Sequence, residues 1–264
     1  MLILLLIIAL VGYVLSAVVI LQHVAKNQLT HPAFNKIPAT CAIISHALLI
    51  YSEISAADFH HINIALSLSS VAWFIALISL FRGLQPSNLL LQPVIYLFAA
   101  LTSLLLIFAP ASWGAYISMN LGLLAHIVLS LVAYGVLVLA TLYAIQAAYV
   151  SNVLKQRKSS IIFNKLPPLL TVERYFFRLL STGTLLLFLS LISGFIFLEN
   201  MFAQHIAHKT ILSLIAAFIY VIAYVTHRIT GSRGKLMIAL TVSGTILLTL
   251  AYFGSRFVKD ILLS

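Results

Sequence analysis

The sequence predicts an all-α, polytopic integral membrane protein with about eight transmembrane helices, and three observations lead to this fold class. The chain of 264 residues is 62% hydrophobic, with a mean hydropathy of +1.14. Only 8% of its residues are charged, whereas soluble domains carry about 25%. Apolar runs of about twenty residues, long enough to cross a bilayer as helices, recur along the chain. We therefore expect a single transmembrane domain over residues 1–264.

The expected spans are separated by short polar or basic loops. The first apolar run follows Met1 directly, without a basic leader region, so we expect it to be retained as a helix. The second run has the weakest hydropathy because it contains several polar side chains, His46 among them. The eight spans are Leu2–Gln22, Ile37–Ile54, Ile62–Leu80, Leu89–Phe108, Leu121–Tyr149, Ser181–Leu198, Ile211–His227 and Leu236–Phe257.

The distribution of lysine and arginine predicts the orientation of these spans. The loops on one side hold twelve of the basic residues and the loops on the other side hold three. Because basic loops stay in the cytoplasm, we expect both termini on the outer side of the membrane. The twelve are Lys26, Lys36, Arg82, Lys155, Arg157, Lys158, Lys165, Arg174, Arg178, Arg228, Arg233 and Lys235. The three are Lys209, Arg256 and Lys259.

The longest expected loop is cytoplasmic and runs over residues 151–180. A proline pair within it predicts a break in the chain, followed by a short amphipathic helix with Thr171 as its N-cap. Such a helix would rest at the membrane interface, with Arg174 and Arg178 toward the lipid headgroups. A plain connector helix is the alternative.

Histidines inside or beside the spans are the candidate functional residues. An ionisable side chain within a bilayer is costly, which makes it a functional candidate. His126 lies about 8 Å inside the outer end of the fifth span, and His208 lies just outside the seventh. His46 is midway along the second span and His227 is near the cytoplasmic end of the seventh. A buried histidine either hydrogen-bonds between helices or ligates heme iron through a neutral nitrogen.

Depth along the helices bears on which histidines can act together. His126 and His208 can face each other at the outer surface. His46 lies about 15 Å from the cytoplasmic edge of its span, whereas His227 lies close to that edge. This difference in depth opposes a bis-histidine site made from His46 and His227, unless a tilt or kink closes it.

Several classes of protein are excluded by what the chain lacks. The single cysteine, Cys41, allows neither a disulfide framework nor a zinc cluster, and no Cys-x-x-Cys-His motif attaches a c-type heme. The adjacent His60 and His61 point apart, so we expect no metal site there. The sequence has no Walker loop, no Ser/His/Asp arrangement and no His-Glu-x-x-His motif, which argues against an enzyme such as a hydrolase or a nucleotide-driven pump. The net charge of +10 lies in membrane-flanking loops and does not indicate nucleic acid binding.

Three stretches of the chain resemble one known family. The first is His126-Ile-Val-Leu-Ser-Leu-Val-Ala-Tyr134-Gly, and the second is Leu166-Pro-Pro-Leu-Leu-Thr-Val-Glu173-Arg174. The third is the C-terminal hairpin, with His208-Lys-Thr, Tyr220 to Arg228, Gly231-Ser-Arg-Gly234 and Ala251-Tyr-Phe-Gly-Ser255. Together they resemble the cytochrome c assembly protein family of the CcsA and HemX-like type, over roughly residues 40 to 260.

The resemblance implies a heme-binding protein of the bacterial inner membrane. In such a protein heme is held non-covalently and handled during the assembly of cytochromes, with lipid and other assembly proteins as partners. By position, His126 would match the family's outer histidine ligand. His46 and His227 would match its two transmembrane histidines, and His208 could replace an outer ligand that this chain lacks. Lys209 could then pair with a heme propionate.

The chain departs from the family pattern at the outer surface. The family's heme-handling segment is rich in tryptophan, whereas the corresponding loop here, Glu199–Thr210, has no tryptophan and no aspartate. No histidine follows His227. These departures support a second hypothesis, a non-heme membrane scaffold or regulatory assembly factor that keeps the family fold. A small-solute transporter is the third hypothesis, which the lack of intramembrane carboxylates and of paired broken helices disfavours.

Overall fold

The computed structural model describes residues 1–26, 32–56, 60–110, 113–116, 120–156, 166–197, 207–254 and 257. The chain divides into two compact units, Met1–Ser118 and Met119–Ser264. Within the described residues, seven helices are long and apolar enough to cross a membrane. A further apolar helix, Gln92–Phe108, has 17 residues. The predicted single transmembrane domain stays a prediction.

In its described residues, the first unit has five helices and one minimal strand pair. Helix α1 packs on α2 and α5, and α3 packs on both α5 and α2. Strands β1 and β2 pair antiparallel, with His61 opposite Tyr116. The elements are α1 (Leu2–Lys26), α2 (Pro32–Ala56), β1 (His61–Ile62), α3 (Ile64–Arg82), α4 (Pro86–Leu89), α5 (Gln92–Phe108) and β2 (Ala115–Tyr116).

Local sequence sets the ends of α3. The Asn63 side chain accepts a hydrogen bond from the Leu66 backbone N–H at 2.7 Å and so caps the first turn. At the other end Gly83 takes a φ of 57°, a conformation that glycine adopts without strain, and its N–H donates to the Ser79 and Leu80 carbonyls. The chain can then reverse and enter α4 at Pro86.

Helices α1 and α2 approach each other closely at Gly12. A Cβ atom at this position would lie 2.6 Å from the Pro38 carbonyl oxygen and 2.9 Å from the Ala42 Cβ. Small residues at such crossings allow backbones in a membrane to pack without a gap. This close approach brings the polar side chains of α1 and α2 within hydrogen-bonding reach of each other.

The part of the second unit that the structure describes has four long helices and a π-helical turn. Helix α6 packs along α7 and against α9, and α8 packs against α7 and α9. Gly183 lies under the Leu137 side chain, and Gly244 lies under the Tyr220 ring, where a Cβ would come within 2.7 Å and 2.9 Å of side-chain carbons. The elements are α6 (Leu121–Lys155), α7 (Leu169–Phe197), α8 (Ala207–Thr230), α9 (Lys235–Thr249) and the π-helical turn Leu250–Gly254.

Hydroxyl groups join α6, α8 and α9 inside the second unit. The Tyr134 hydroxyl is 2.8 Å from the Thr249 Oγ1, and the Tyr220 hydroxyl is 2.7 Å from the Thr245 Oγ1. Thr141 also reaches Thr245, with 2.5 Å between the hydroxyl oxygens. These bonds satisfy polar groups that would otherwise be costly within a membrane.

The structure agrees with the predicted spans in position but not in every boundary. Each of the eight predicted segments contains a helix, although Gln92–Phe108 is shorter than a typical span. The break at the proline pair is observed, since Pro167 and Pro168 lie outside any helix, but the separate amphipathic helix with Thr171 as its N-cap is not. Instead α7 begins at Leu169 and continues without interruption to Phe197, so Arg174 and Arg178 lie in its first turns. After the prolines no residue in this stretch forces the helix to end.

Candidate functional site

His126 lies in the second turn of α6 and is bonded to α7 through one ring nitrogen. Its Nδ1 is 3.1 Å from the Ser190 carbonyl oxygen and 2.9 Å from the Ser193 Oγ. The Ser193 hydroxyl in turn donates to the same Ser190 carbonyl at 2.7 Å. Because the Ser193 hydroxyl donates its hydrogen to that carbonyl, the Ser193 Oγ can accept a hydrogen bond from the His126 Nδ1–H. Asn120 caps the start of α6 through a bond from the Leu123 N–H and fixes this end of the helix.

These bonds define the protonation of the His126 ring. A carbonyl oxygen only accepts, so Nδ1 carries the proton of the neutral imidazole. Nε2 then keeps its lone pair, and no hydrogen bond from a described residue occupies it. A histidine that ligates a metal has this arrangement, with one nitrogen donating to a carbonyl and the other available for the bond. The side chain is half-buried, so part of this residue remains accessible.

Two aromatic residues lie close to this end of the second unit. The Gly122 position, one turn before His126, is covered by the Phe197 ring, so α6 and α7 approach closely there. Tyr252, from the π-helical turn, packs against Tyr134 further along α6, with 5.3 Å between the ring centroids. Aromatic rings therefore contact α6 both before and after His126 in the sequence.

His46 is arranged differently. It is fully buried in the first unit, where its Nδ1 is 3.1 Å from the Tyr13 hydroxyl and its Nε2 is 2.7 Å from the Ser69 Oγ. Both nitrogens are therefore occupied by hydroxyl groups of α1 and α3. A bond to iron requires a free lone pair, so His46 in this arrangement does not fit an axial ligand. It fits a hydrogen-bonding residue that joins three helices.

The buried polar residues around His46 continue this arrangement. The Tyr13 ring lies 5.7 Å from that of Tyr96, and the Gln92 amide donates to the Tyr96 hydroxyl at 2.9 Å. The indole of Trp73 donates to the Ile43 carbonyl at 2.9 Å. The Tyr13–Tyr96 contact joins α1 to α5 and the Trp73 bond joins α3 to α2, whereas the Gln92–Tyr96 bond lies within α5.

His227, near the end of α8, also has one nitrogen bonded to a carbonyl. Its Nδ1 donates to the Ser232 carbonyl at 3.0 Å, which leaves the lone pair on Nε2. Its ring stacks on Phe177 with 3.3 Å between the ring centroids and 5° between the planes. The ring lines an open cleft of about 560 Å³ between α7 and α8. His227 belongs to the second unit and His46 to the first, and the pairing of the two that the family implies stays a prediction.

His208 is exposed in the first turn of α8, so it belongs to the helix rather than to the preceding loop. Between the described residues His126 and His208 there is no direct hydrogen bond, and their use as a ligand pair stays a prediction. His205 lies outside the described residues. Within the described part of the chain, no three His, Cys, Asp or Glu side chains come together as a metal site.

Sequence reasoning did not identify the partners of these histidines. Ser190 and Ser193 are one helical turn apart, and a pair of serines at this spacing in an apolar helix was a signal that could have been noticed. Tyr13 and Ser69 are far from His46 in the sequence, so no local pattern relates them. The arginine-lined cleft beside His227 was also missed, because it forms only where α7 and α8 lie next to each other.

The fold defines a multi-pass α-helical membrane protein in which the half-buried rings of His126 and His227 each bond a carbonyl oxygen through Nδ1. The family model described as "Cytochrome C assembly protein" matches residues 1–263. The chain therefore belongs to the cytochrome c assembly protein family, as the histidine helix and the C-terminal hairpin indicated.

Two relatives support this membership. The chain is 32% identical over 260 residues to "Inner membrane protein YpjD" of Escherichia coli strain K12, covering 96% of this chain and 97% of the relative. It is 31% identical over 140 residues to the Azospirillum brasilense "Uncharacterized 28.8 kDa protein in nifR3-like 5'region", covering 52% of each chain. No solved structure matches the chain significantly.

Proposed function

We propose that the protein binds heme non-covalently within the membrane and takes part in heme handling or cytochrome complex assembly. One observation carries the proposal: the His126 Nδ1 donates to the Ser190 carbonyl, which leaves the Nε2 lone pair of this half-buried ring without a hydrogen bond from a described residue. The family to which the chain belongs supports heme as the ligand. Bound heme would supply iron-centred redox and ligand-exchange chemistry.

The residues around His126 have separate roles in this proposal. Nε2 of His126 is the axial ligand. The Ser190 carbonyl and the Ser193 hydroxyl hold the ring in one orientation and in one tautomer, and they raise the basicity of the ligating nitrogen. His208 is proposed as a second ligand, and Lys209 is proposed to pair with a propionate.

An absorption spectrum of the detergent-purified protein tests this proposal. We expect a Soret band that sharpens and shifts on reduction with dithionite, with heme in stoichiometric amount by the pyridine assay. A protein without a Soret band, even after expression with added heme precursor, would contradict the proposal. Free heme added to an unrelated membrane protein of the same size and detergent provides the background.

A second candidate function is a non-heme scaffold or regulatory assembly factor. The arrangement of His46 favours it, because both of its nitrogens are used to hold helices together. The lack of tryptophan in the outer loop supports it as well. In this case the purified protein would stay colourless, and replacement of His126 would change its stability without changing any spectrum.

We also propose the orientation and location of the chain. All eight predicted spans cross the membrane, with both termini on the outer side of a bacterial inner membrane. The twelve basic residues of one set of loops support this orientation, and the name of the Escherichia coli relative, an inner membrane protein, supports this location. A reporter fused after Arg157 should be active only in the cytoplasm, and one fused after Ser264 only in the periplasm. The opposite pattern would invert the topology.

A further inference from the structure

The cleft beside His227 is strongly basic. Four arginines line it, and Glu173 is the only carboxylate among its lining residues. Glu173 is already paired with Arg233, with 3.3 Å between the charged atoms. The remaining three arginines, Arg174, Arg178 and Arg228, have no carboxylate partner in the described part of the chain. The cleft therefore carries a positive charge that its own walls do not neutralise.

The three arginines are placed to act on one group. Arg174 and Arg178 are one turn apart on the same face of α7. Arg228, on α8, donates from Nε to the Tyr224 hydroxyl at 3.2 Å, and its guanidinium carbon lies 5.5 Å from the centre of the Tyr224 ring. This contact holds the Arg228 side chain along its own helix while its terminal nitrogens stay available. Guanidinium groups are suited to bind phosphate oxygens.

An apolar groove continues from the cleft along the same two helices. It has a volume of about 420 Å³ and shares Ser181, Thr182 and Arg228 with the cleft. Beyond these shared residues its walls are mainly Leu185 and Phe188 of α7 and residues of α8 one turn apart. Both helices are long enough to cross a membrane, so the groove runs along their membrane-spanning parts.

We propose that the cleft and groove together bind an anionic phospholipid. The phosphodiester lies among Arg174, Arg178 and Arg228, and one acyl chain lies in the groove beside Leu185 and Phe188. The continuity of a cationic cleft with an apolar groove supports this occupant, because a phospholipid has both parts in that order. Basic pockets between transmembrane helices bind anionic headgroups in this way. The site is independent of the heme proposed at His126.

The occupant is tested by native mass spectrometry of the full chain, delipidated in detergent and titrated with single lipids. We expect phosphatidylglycerol to be retained in preference to phosphatidylethanolamine of the same acyl chains. The double variant Arg174→Gln/Arg178→Gln should lower phosphatidylglycerol retention by roughly thirtyfold, since each surface arginine contributes about a fivefold factor. Equal retention of the two lipids by the original protein would overturn the proposal.

A matched variant distinguishes lipid binding at the cleft from a general effect of positive surface charge. Lys155→Gln/Lys235→Gln removes the same number of charges from residues that line a neighbouring, smaller pocket and not the cleft. It should keep phosphatidylglycerol retention within about twofold, as expected where neither lysine lies near the headgroup. An equal loss in both double variants would overturn a specific cleft. All four side chains are exposed, and size-exclusion chromatography checks that both variants remain folded.

Two competitors identify other occupants. Soluble glycerol phosphate, at the concentration of lipid used, should not displace phosphatidylglycerol, because it cannot fill the groove. Displacement by glycerol phosphate would mean that the cleft is a free-phosphate site. Displacement by hemin that depends on His227 would assign the cleft to a porphyrin. Either result would overturn the lipid proposal.

Discussion

Replacing His126 with alanine is expected to abolish the Soret band while the protein stays folded. Nε2 of this ring is the proposed bond to iron, so the variant keeps only the exposed His208 as a proposed ligand. The hydrogen bonds that the ring makes to described residues are those of Nδ1 to Ser190 and Ser193. Hydrogen bonds between helices in a membrane stabilise by about 0.6 kcal/mol on average, which is too little to unfold a stable protein.

Two control variants make this result specific to ligation. His227→Ala removes another half-buried imidazole whose Nδ1 also bonds a carbonyl, and we expect it to keep the band. Ser193→Ala leaves the Ser190 carbonyl as the acceptor and should keep the heme, with a shifted reduction potential. Added imidazole should restore part of the band to His126→Ala. A full band in that variant without imidazole would show that another residue ligates the iron.

Replacing His46 with alanine is expected to give the largest loss of stability in the chain. The imidazole is fully buried, and large-to-small core substitutions cost about 2–5 kcal/mol through the cavity they leave. The hydroxyls of Tyr13 and Ser69 also lose their partner, which adds about 1–3 kcal/mol for a group that finds no other. Re-pairing within the membrane reduces this second contribution, so the cavity dominates.

The stability of His46→Ala is measured by unfolding in mixed detergent and sodium dodecyl sulfate, followed by tryptophan fluorescence. Ser69→Ala is the control, because it removes one hydroxyl and leaves the ring, and we expect it to cost about 1 kcal/mol. An unchanged unfolding midpoint in His46→Ala, together with a lost Soret band, would contradict the packing role. That outcome would place His46 at the iron.

The fold class could be predicted because hydropathy depends on composition alone. Each of the eight predicted apolar segments contains a helix, since a segment within a membrane must bond its own backbone polar groups. The ends of the helices were harder to place. Arg174 and Arg178 suggested an interfacial helix, whereas the structure continues them into α7, because charged residues in the first turns of a long helix can reach the headgroup layer.

The candidate site was predictable only in part. His126 was identified because an ionisable group in an apolar run is unusual. Its orientation depends on Ser190, which lies 64 residues away in the sequence. The bond from His46 to Ser69 likewise spans 23 residues. The rotation of each helix about its axis decides such bonds, and that rotation follows from packing, for example at Gly12, rather than from any local pattern.

The length of α6 has a consequence for how its two ends respond to salt. Its 35 residues extend for about 52 Å, whereas the hydrocarbon core is about 30 Å thick. The excess length of the helix lies at the end of α6 that carries Lys155, because charged side chains favour water. Ser151, at the same end, lines a pocket with Glu173. Glu173 also lines the arginine cleft. Ser151 is about 38 Å along the helix from His126. At physiological ionic strength the Debye length is about 8 Å. Attraction of anions to the arginine cleft should therefore fall as salt rises, while the environment of His126 stays constant.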